Sequence, residues 1–206
     1  MGCDNTKPTQ TPLMEKYAAA GLQQPWSNEY ENDFEKKIFM AINLFRHDPK
    51  HFVTIVKKVY KTHPLLKGSK SMEELVKKLQ TAEPMTQVRF DGQANEACRQ
   101  NNAEIVEKNE AVPTKGGNIE KYKTITGEEK ASECFEYTMC KYEGSCAEEF
   151  IALELVLDWD REGEEGKKSP LLDKDVSMVG ISNKAHKTTT NVIQILYIKG
   201  TVNALE

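Results

Sequence analysis

The chain has 206 residues, of which 38% are hydrophobic and 29% are charged. This balance is typical of a globular protein and argues against a largely disordered or fibrous chain. A formal net charge of −4 supplies no overall positive field, so we expect no binding to nucleic acid. No apolar run approaches the roughly 18 residues of a membrane-spanning helix, and the first residues lack the hydrophobic stretch of a signal peptide. We therefore expect a cytoplasmic protein that is not secreted and keeps its five cysteines reduced.

The first six residues carry a lipidation pattern. The segment Met1–Thr6 matches the myristoylation motif, with Gly2 as the expected acceptor, and Cys3 beside it offers a candidate palmitoylation site. A single myristoyl chain binds membranes only marginally, so a second acyl chain would make membrane residence stable. The alternative is an unmodified terminus, since the motif is short and uses common residues. Residues 1–29 contain three prolines and little periodicity, which predicts an N-terminal arm that serves as a tether or docking segment.

Helical periodicity dominates the chain from Asp33 onward. Apolar residues recur there at three- and four-residue steps, which predicts a helix, and a second apolar stripe follows Pro49 to about residue 61. A third helix is predicted to begin at Ser71, which opens a capping box. Asp91 is placed to cap a fourth helix whose inward face carries small residues, so this helix is expected to pack closely.

The second half of the chain mixes helix and strand signals. A long polar connection contains Cys134 and Cys140 and is followed by a helix with Phe150 and Leu153 on one face. Two segments rich in β-branched residues, VSMVGIS and NVIQILYIKG, are separated by the polar NKAHKTTT, which predicts an antiparallel hairpin. Helices followed by paired strands indicate an α+β domain with helices that cover an antiparallel sheet.

Three segments resemble the CAP domain family, which comprises the cysteine-rich secretory, antigen 5 and pathogenesis-related-1 proteins. IFMAINLFRHDPKHF resembles the family's opening helix, and VRFDGQANEACRQNNAEIVEKN resembles its second conserved helix, although Gln93 and Asn102 replace usual family residues. SPLLDKDVSMVGIS and NVIQILYIKG are similar to the family's closing segment. The resemblance implies a CAP-like domain over residues 30–206, an α-β-α sandwich with helices packed on a small antiparallel sheet. The positions in register with family motifs are Asn43, Arg46, Pro49, Phe52, Gly180 and Gln194.

The resemblance also implies a central cleft of two histidines and two acidic residues, which in the family can hold a divalent metal. This chain departs from that pattern, because Lys115 and Lys168 stand where the histidines are expected. The acidic positions have counterparts in Glu133 and, more weakly, Asp160. A protonated lysine cannot ligate a metal, so we expect a degenerate cleft without metal or other cofactor.

The sequence patterns for a calcium site, a zinc site and a reactive thiol are each incomplete. The acidic segment that starts at Asp158 begins like a calcium loop but has Ser169 at the position of the bidentate glutamate. The cysteines at 134, 140 and 146 lack the spacing and the nearby histidine of a zinc site. Cys98 lies on the small-residue face of a helix, which indicates a buried and inert thiol rather than a nucleophile.

These observations favour a non-catalytic binding or scaffold protein, anchored at a membrane or within a large assembly, with a ciliary or cytoskeletal location suggested by the resemblance alone. Trp26, Tyr30 and Phe34 are predicted to contact a protein partner, because aromatic residues concentrate in interface hot spots. The alternative is that they attach the arm to its own domain. A lipid or sterol carrier with an open apolar pocket at Phe150 and Leu153 is a second hypothesis. A residual hydrolase that uses Glu133 is a third.

Overall fold

The computed structural model describes residues 12–25, 29–63, 72–110, 116–127, 134–161 and 169–200, with the backbone alone for Asp160 and Arg161. Within these residues helices and one four-stranded sheet form an α+β fold, as predicted. The helices are α1 (Leu13–Ala19), α2 (Asp33–His47), α3 (Phe52–Thr62), α4 (Met72–Thr81), α5 (Gly92–Lys108), α6 (Gly117–Thr126) and α7 (Ala147–Arg161). The strands are β1 (Arg89–Phe90), β2 (Cys134–Cys140), β3 (Val176–His186) and β4 (Thr190–Lys199), and a 3-10 helix covers Pro170–Leu172.

The four strands form one sheet in the order β1-β3-β4-β2. The predicted hairpin is β3 and β4, and it is longer than expected, because His186 still pairs with Thr190 across residues assigned to a polar loop. Strand β2 pairs antiparallel with β4, whereas the two-residue β1 pairs parallel with β3, so the sheet is mixed rather than purely antiparallel. A two-residue strand is too short to show any periodicity, which is why the sequence did not predict it.

Helices cover both faces of the sheet, so the domain has three layers. Side chains alternate between the faces of a strand. Along β4, Ile193, Ile195 and Tyr197 join the larger core with α2, α3, α4 and α7, while Leu196 and Ile198 join a smaller cluster with α5 and α6. This alternation on an almost wholly apolar strand explains how β4 is buried on both sides.

Two side chains of α2 attach this helix to distant parts of the backbone. The amide of Asn43 exchanges hydrogen bonds of 2.8 and 3.2 Å with the backbone of Val88. The guanidinium of Arg46 is fully buried, and burial lowers its pKa. Its nitrogens donate to the carbonyl oxygens of Thr86, Leu171, Asp173 and Val176 at 2.8 to 3.4 Å. These two side chains therefore hold the segment before β1 and the segment before β3 against α2.

Helix α5 and the sheet approach each other closely at Gly180 of β3. A Cβ atom built there would lie 2.3 Å from the backbone of Ala94 in α5. Ala94, Ala97 and Cys98 on the facing side of α5 are fully buried. Small residues on the helix and a glycine on the strand thus permit backbone contact, in agreement with the predicted close packing.

Candidate functional site

Most residues of the predicted sites lie outside the described part of the chain. Asp160 belongs to the last turn of α7, but its side chain is not described. The positions of the arm and the degenerate cleft that lie outside the described residues are Gly2, Cys3, Trp26, Lys115, Glu133 and Lys168. The described residues that adjoin these positions in the chain form two features. One is the docked part of the arm, and the other is a set of polar side chains between α5, α6 and the sheet.

Part of the predicted arm is a helix that is docked on the domain. Tyr17 of α1 is fully buried, and its hydroxyl donates to the carbonyl oxygen of Gln23 at 3.0 Å. The same hydroxyl accepts a 2.7 Å hydrogen bond from the side-chain amide of Gln87. Burial raises the pKa of Tyr17 to about 12, so the hydroxyl stays protonated at neutral pH. One aromatic side chain therefore fixes α1 to the segment that precedes β1.

An ion pair ties α1 to a second element. Lys16 Nζ lies 2.9 Å from Glu148 in the first turn of α7, and their side chains are 22% and 10% exposed. Lys58 of α3 pairs with the adjacent Glu149 at 2.5 Å. The partial burial of the Lys16–Glu148 pair makes it less screened by solvent than an exposed pair. The start of α7 is thus a shared attachment point for α1 and α3.

The two described aromatic residues that were predicted to contact a partner differ in their environment. Tyr30 is 9% exposed and packs in the core, with ring centroids 5.8 Å from Phe39 and 5.2 Å from Phe90. Phe34 is half-buried and stacks on Tyr142 at 5.9 Å with an angle of 19° between the rings. Tyr30, the first residue after the predicted arm, is therefore part of the domain core, whereas Phe34 keeps an exposed part that a partner can reach.

A network of polar side chains lies between α6 and the sheet. The carboxylate of Glu136 in β2 accepts hydrogen bonds from the backbone N–H groups of Gly116 and Asn118, at the start of α6. The Asn118 side chain donates to Gln194 Oε1 at 2.5 Å and accepts from Asn101 at 2.9 Å. Thr138 of β2 donates to the same oxygen of Gln194 at 2.9 Å. A helix N-terminus, a carboxylate and four neutral side chains are thus joined in one network.

A second group of polar side chains joins α5 to the hairpin. The amide of Asn102 donates to Ser182 Oγ at 2.9 Å and to the carbonyl oxygen of Val192 at 3.2 Å. All the neutral members on α5, β3 and β4 are buried. Their hydrogen bonds run within the domain, so they fix the position of α5 and α6 against the sheet.

Glu136 was not among the residues predicted from the sequence. The resemblance placed one acidic residue of the cleft at Glu133 instead. In the structure, the buried positions Cys134, Tyr137 and Met139 show that the segment is a strand rather than a polar connection. The alternation of side chains along such a strand would have placed Glu136 on the α6 face. A carboxylate held by helix N-terminal N–H groups acts as a cap, which is a structural role.

A buried carboxyl group on the other face of the sheet was also missed. Glu154 of α7 is fully buried, and its Oε1 accepts a 2.7 Å hydrogen bond from the hydroxyl of Tyr197. Burial raises the pKa of Glu154 well above its ordinary range, and the charge of Asp158 raises it further. Asp158 in turn accepts a 3.1 Å hydrogen bond from Ser169.

The apolar positions proposed for a lipid pocket are filled by neighbouring side chains. Phe150 and Leu153 are buried in the larger core, and the Phe150 ring contacts Phe34, Tyr137 and Tyr142 at 5.1 to 6.3 Å. The carrier hypothesis gains no support from this arrangement.

Across the described ranges, no group of three or more His, Cys, Asp or Glu residues is placed to hold a metal ion. In the same ranges, no helix has the length and apolar character needed to cross a bilayer.

Family models, curated proteins and solved structures each gave no match. The resemblance to the CAP family therefore rests on the sequence motifs quoted above and stays a prediction.

Proposed function

We propose that this chain is a non-catalytic, CAP-like binding or scaffold protein, held at a membrane or within a larger assembly by its N-terminal segment. The motif positions support the family assignment through their structural roles. Arg46 and Asn43 connect α2 to distant backbone, and Gly180 allows contact between α5 and the sheet. The three-layer arrangement is also compatible with the sandwich that the resemblance implies.

The observation that carries the anchoring role is the docking of α1. Tyr17 is fully buried and Lys16 is paired with Glu148, so α1 moves with the domain. An anchor attached to Gly2 and Cys3 would be joined to a fixed point on the domain surface rather than to a long flexible tether. Such a connection restrains the orientation of the domain, which suits a scaffold that presents one surface to a partner.

The network around Glu136 supports binding over catalysis. A general acid or base must be able to reach a reacting group with its own proton or lone pair. The carboxylate of Glu136 is instead engaged by two N–H groups of the α6 terminus, and Asn118 beside it is bound to Gln194. These polar groups serve to position the N-terminus of α6, which follows Lys115 of the predicted cleft in the chain.

Cell fractionation of the full chain tests the anchoring. Two acyl chains should keep the protein on membranes through a high-salt wash, because each buried methylene contributes about 0.8 kcal/mol. Gly2→Ala should move the protein to the soluble fraction, and Cys3→Ser should leave weak, reversible binding. Metabolic labelling with an alkyne-tagged myristate measures the acylation directly.

The outcomes separate the lipid anchor from an anchor made by protein contacts. If Gly2→Ala and Cys3→Ser both stay with a detergent-resistant pellet, the arm is held by protein contacts and the scaffold proposal stands without acylation. If the wild-type chain is freely soluble in the cell and takes up no label, the anchoring proposal is wrong.

A further inference from the structure

One ring nitrogen of His186 holds the tip of the β3–β4 hairpin. The backbone N–H groups of Thr188 and Thr189 donate to His186 Nδ1 at 3.2 and 3.1 Å. The hydroxyl oxygen of Thr189 lies 3.0 Å from the same nitrogen. Because a backbone N–H group can only donate, Nδ1 must be unprotonated, and the proton of the neutral ring lies on Nε2. The closed turn therefore fixes both the charge and the tautomer of His186.

The second ring nitrogen makes no polar contact. His186 is 5% exposed, and its Nε2 forms no hydrogen bond with any described residue. A buried N–H group without an acceptor loses its hydration and gains no bond in return. The contacts at Nδ1 are thus the polar contacts that keep the ring in this position.

The closed turn also contains a strained residue. Thr190, which ends the turn, has a φ of 66°, and a β-branched side chain is disfavoured in this left-handed region. On its outer side the tip is attached to the end of α5, because the hydroxyl of Thr188 donates to Asn109 Oδ1 at 3.0 Å. The hydrogen bonds to His186 therefore offset strain at Thr190 and keep the tip against α5.

The charged residues around the tip do not form an ion pair with His186. Those of the tip itself and of the facing end of α5, including the residues just after it, are Lys184, Lys187, Glu104, Glu107, Lys108 and Glu110. Glu104 and Glu110 lie 3.9 and 4.0 Å from Lys108. The charged residues of the tip are both lysines, and a further positive charge beside them is unfavourable.

We propose that His186 is a pH-sensitive switch that opens the tip of the hairpin when its imidazole ring is protonated. A proton taken from solvent at Nδ1 turns the shared acceptor of Thr188 and Thr189 into a donor, so these contacts are lost together. The backbone of Thr190 then leaves the left-handed region, and the tip separates from Asn109. An unperturbed histidine changes its charge between about pH 5 and 8. This switch is a property of the fold and does not depend on the proposed anchoring or binding function.

Amide hydrogen exchange of the full chain, measured by NMR at about pH 7.5 and about pH 5, tests the switch. After correction for the intrinsic pH dependence of exchange, protection of the Thr188 and Thr189 amides should fall roughly tenfold or more at the lower pH. The amide of Ile195 in the middle of β4 should stay protected, because the opening is local. His186→Asn keeps an acceptor oxygen near the position of Nδ1 but cannot be protonated, so its tip should stay closed. His47→Asn, at an exposed histidine of α2, is the matched control and should respond like the wild type.

The nitrogen-15 shifts of the His186 ring provide a readout that needs no variant. At about pH 7.5 they should identify a neutral ring protonated on Nε2, and conversion to the imidazolium should accompany the loss of protection. If His186→Asn fails to fold, these shifts and the wild-type exchange decide. The proposal is overturned if Nδ1 carries the proton at neutral pH or if Thr188 and Thr189 are equally protected at both pH values. It is also overturned if β4 loses as much protection as the tip, or if His186→Asn opens as the wild type does.

Discussion

The hydroxyl of Tyr197 in β4 donates a 2.7 Å hydrogen bond to the carboxyl group of Glu154 in α7, and both side chains are fully buried. The pair connects the helical layer to the sheet inside the larger core. Burial raises the pKa of both groups, so Tyr197 remains a donor. The carboxyl group of Glu154 is poorly solvated when ionised, which makes the stability of the fold depend on its protonation.

Replacing Glu154 with Gln should flatten the pH dependence of stability. The pKa of Glu154 is higher in the folded chain than its unfolded value of roughly 4.3, so the folded state binds more protons between the two values. This contribution is present below the unfolded pKa and is lost as the pH rises through the folded pKa. Urea unfolding of the wild type and Glu154→Gln at pH 4 to 8 measures it, and we expect a shallower decline in the variant.

Tyr197→Phe is the control for this comparison. It removes the donor but keeps the ionisable group, so it should lower the free energy of unfolding by about 1–3 kcal/mol and retain the decline with pH. Parallel curves for the wild type and Glu154→Gln would contradict the assignment of the pH dependence to Glu154.

Arg46→Lys should destabilise the domain despite the conserved charge. A lysine has one nitrogen and cannot reach carbonyl groups on both the segment before β1 and the segment before β3. Each buried carbonyl left unpaired costs about 1–3 kcal/mol, so we expect a loss of roughly 3 kcal/mol or more in chemical denaturation. Arg89→Lys, at an exposed position of β1, should change stability by less than about 0.5 kcal/mol. Equal effects of the two substitutions would refute this role of Arg46.

Gly180→Ala should disrupt the packing of α5 on the sheet. The added Cβ would lie 2.3 Å from the backbone of Ala94, and backbone atoms cannot move aside as a flexible side chain can. We expect a lower melting temperature and a loss of about 1–3 kcal/mol or more. At Gly92, the first residue of α5, a Cβ would meet nothing within 4 Å, so Gly92→Ala should be neutral or slightly stabilising. A melting temperature unchanged by Gly180→Ala would show that α5 packs less closely than described.

Glu136→Ala and Glu133→Gln should differ in their effects. Glu136 accepts two backbone N–H groups at the start of α6, so its loss should cost about 1–2 kcal/mol, as for other lost caps. Hydrogen exchange of the amides in α6 should accelerate more than that of α5.

Glu133→Gln should leave stability and cellular location unchanged, because a cleft acid without its histidine partners carries no chemistry. Loss of biological activity at normal abundance in Glu133→Gln would contradict a degenerate cleft.

Much of the secondary structure could be predicted because it follows local periodicity. Asp33 and Asp91 lie at the starts of α2 and α5, and Asp91 caps α5 by accepting a 2.6 Å hydrogen bond from the N–H of Ala94. Strand β2 was not recognised, since its buried positions alternate irregularly with a threonine and a glutamate. Its burial depends on β4, which pairs with it along its whole length although the two strands are far apart in the chain.

The sequence by itself determined the α+β class, five of the seven helices in the described residues (α2 to α5 and α7) and the final hairpin, because these depend on apolar residues that repeat over short distances. Helices α1 and α6 were not predicted. Only the tertiary structure decided which polar groups meet. Lys16 and Glu148 are 132 residues apart, and Asn183 and Glu35 are 148 residues apart. Contacts of this kind leave no periodic pattern in either segment, since each partner alone is an ordinary polar residue on a helix or strand. The docking of α1 therefore becomes visible only when the layers are assembled.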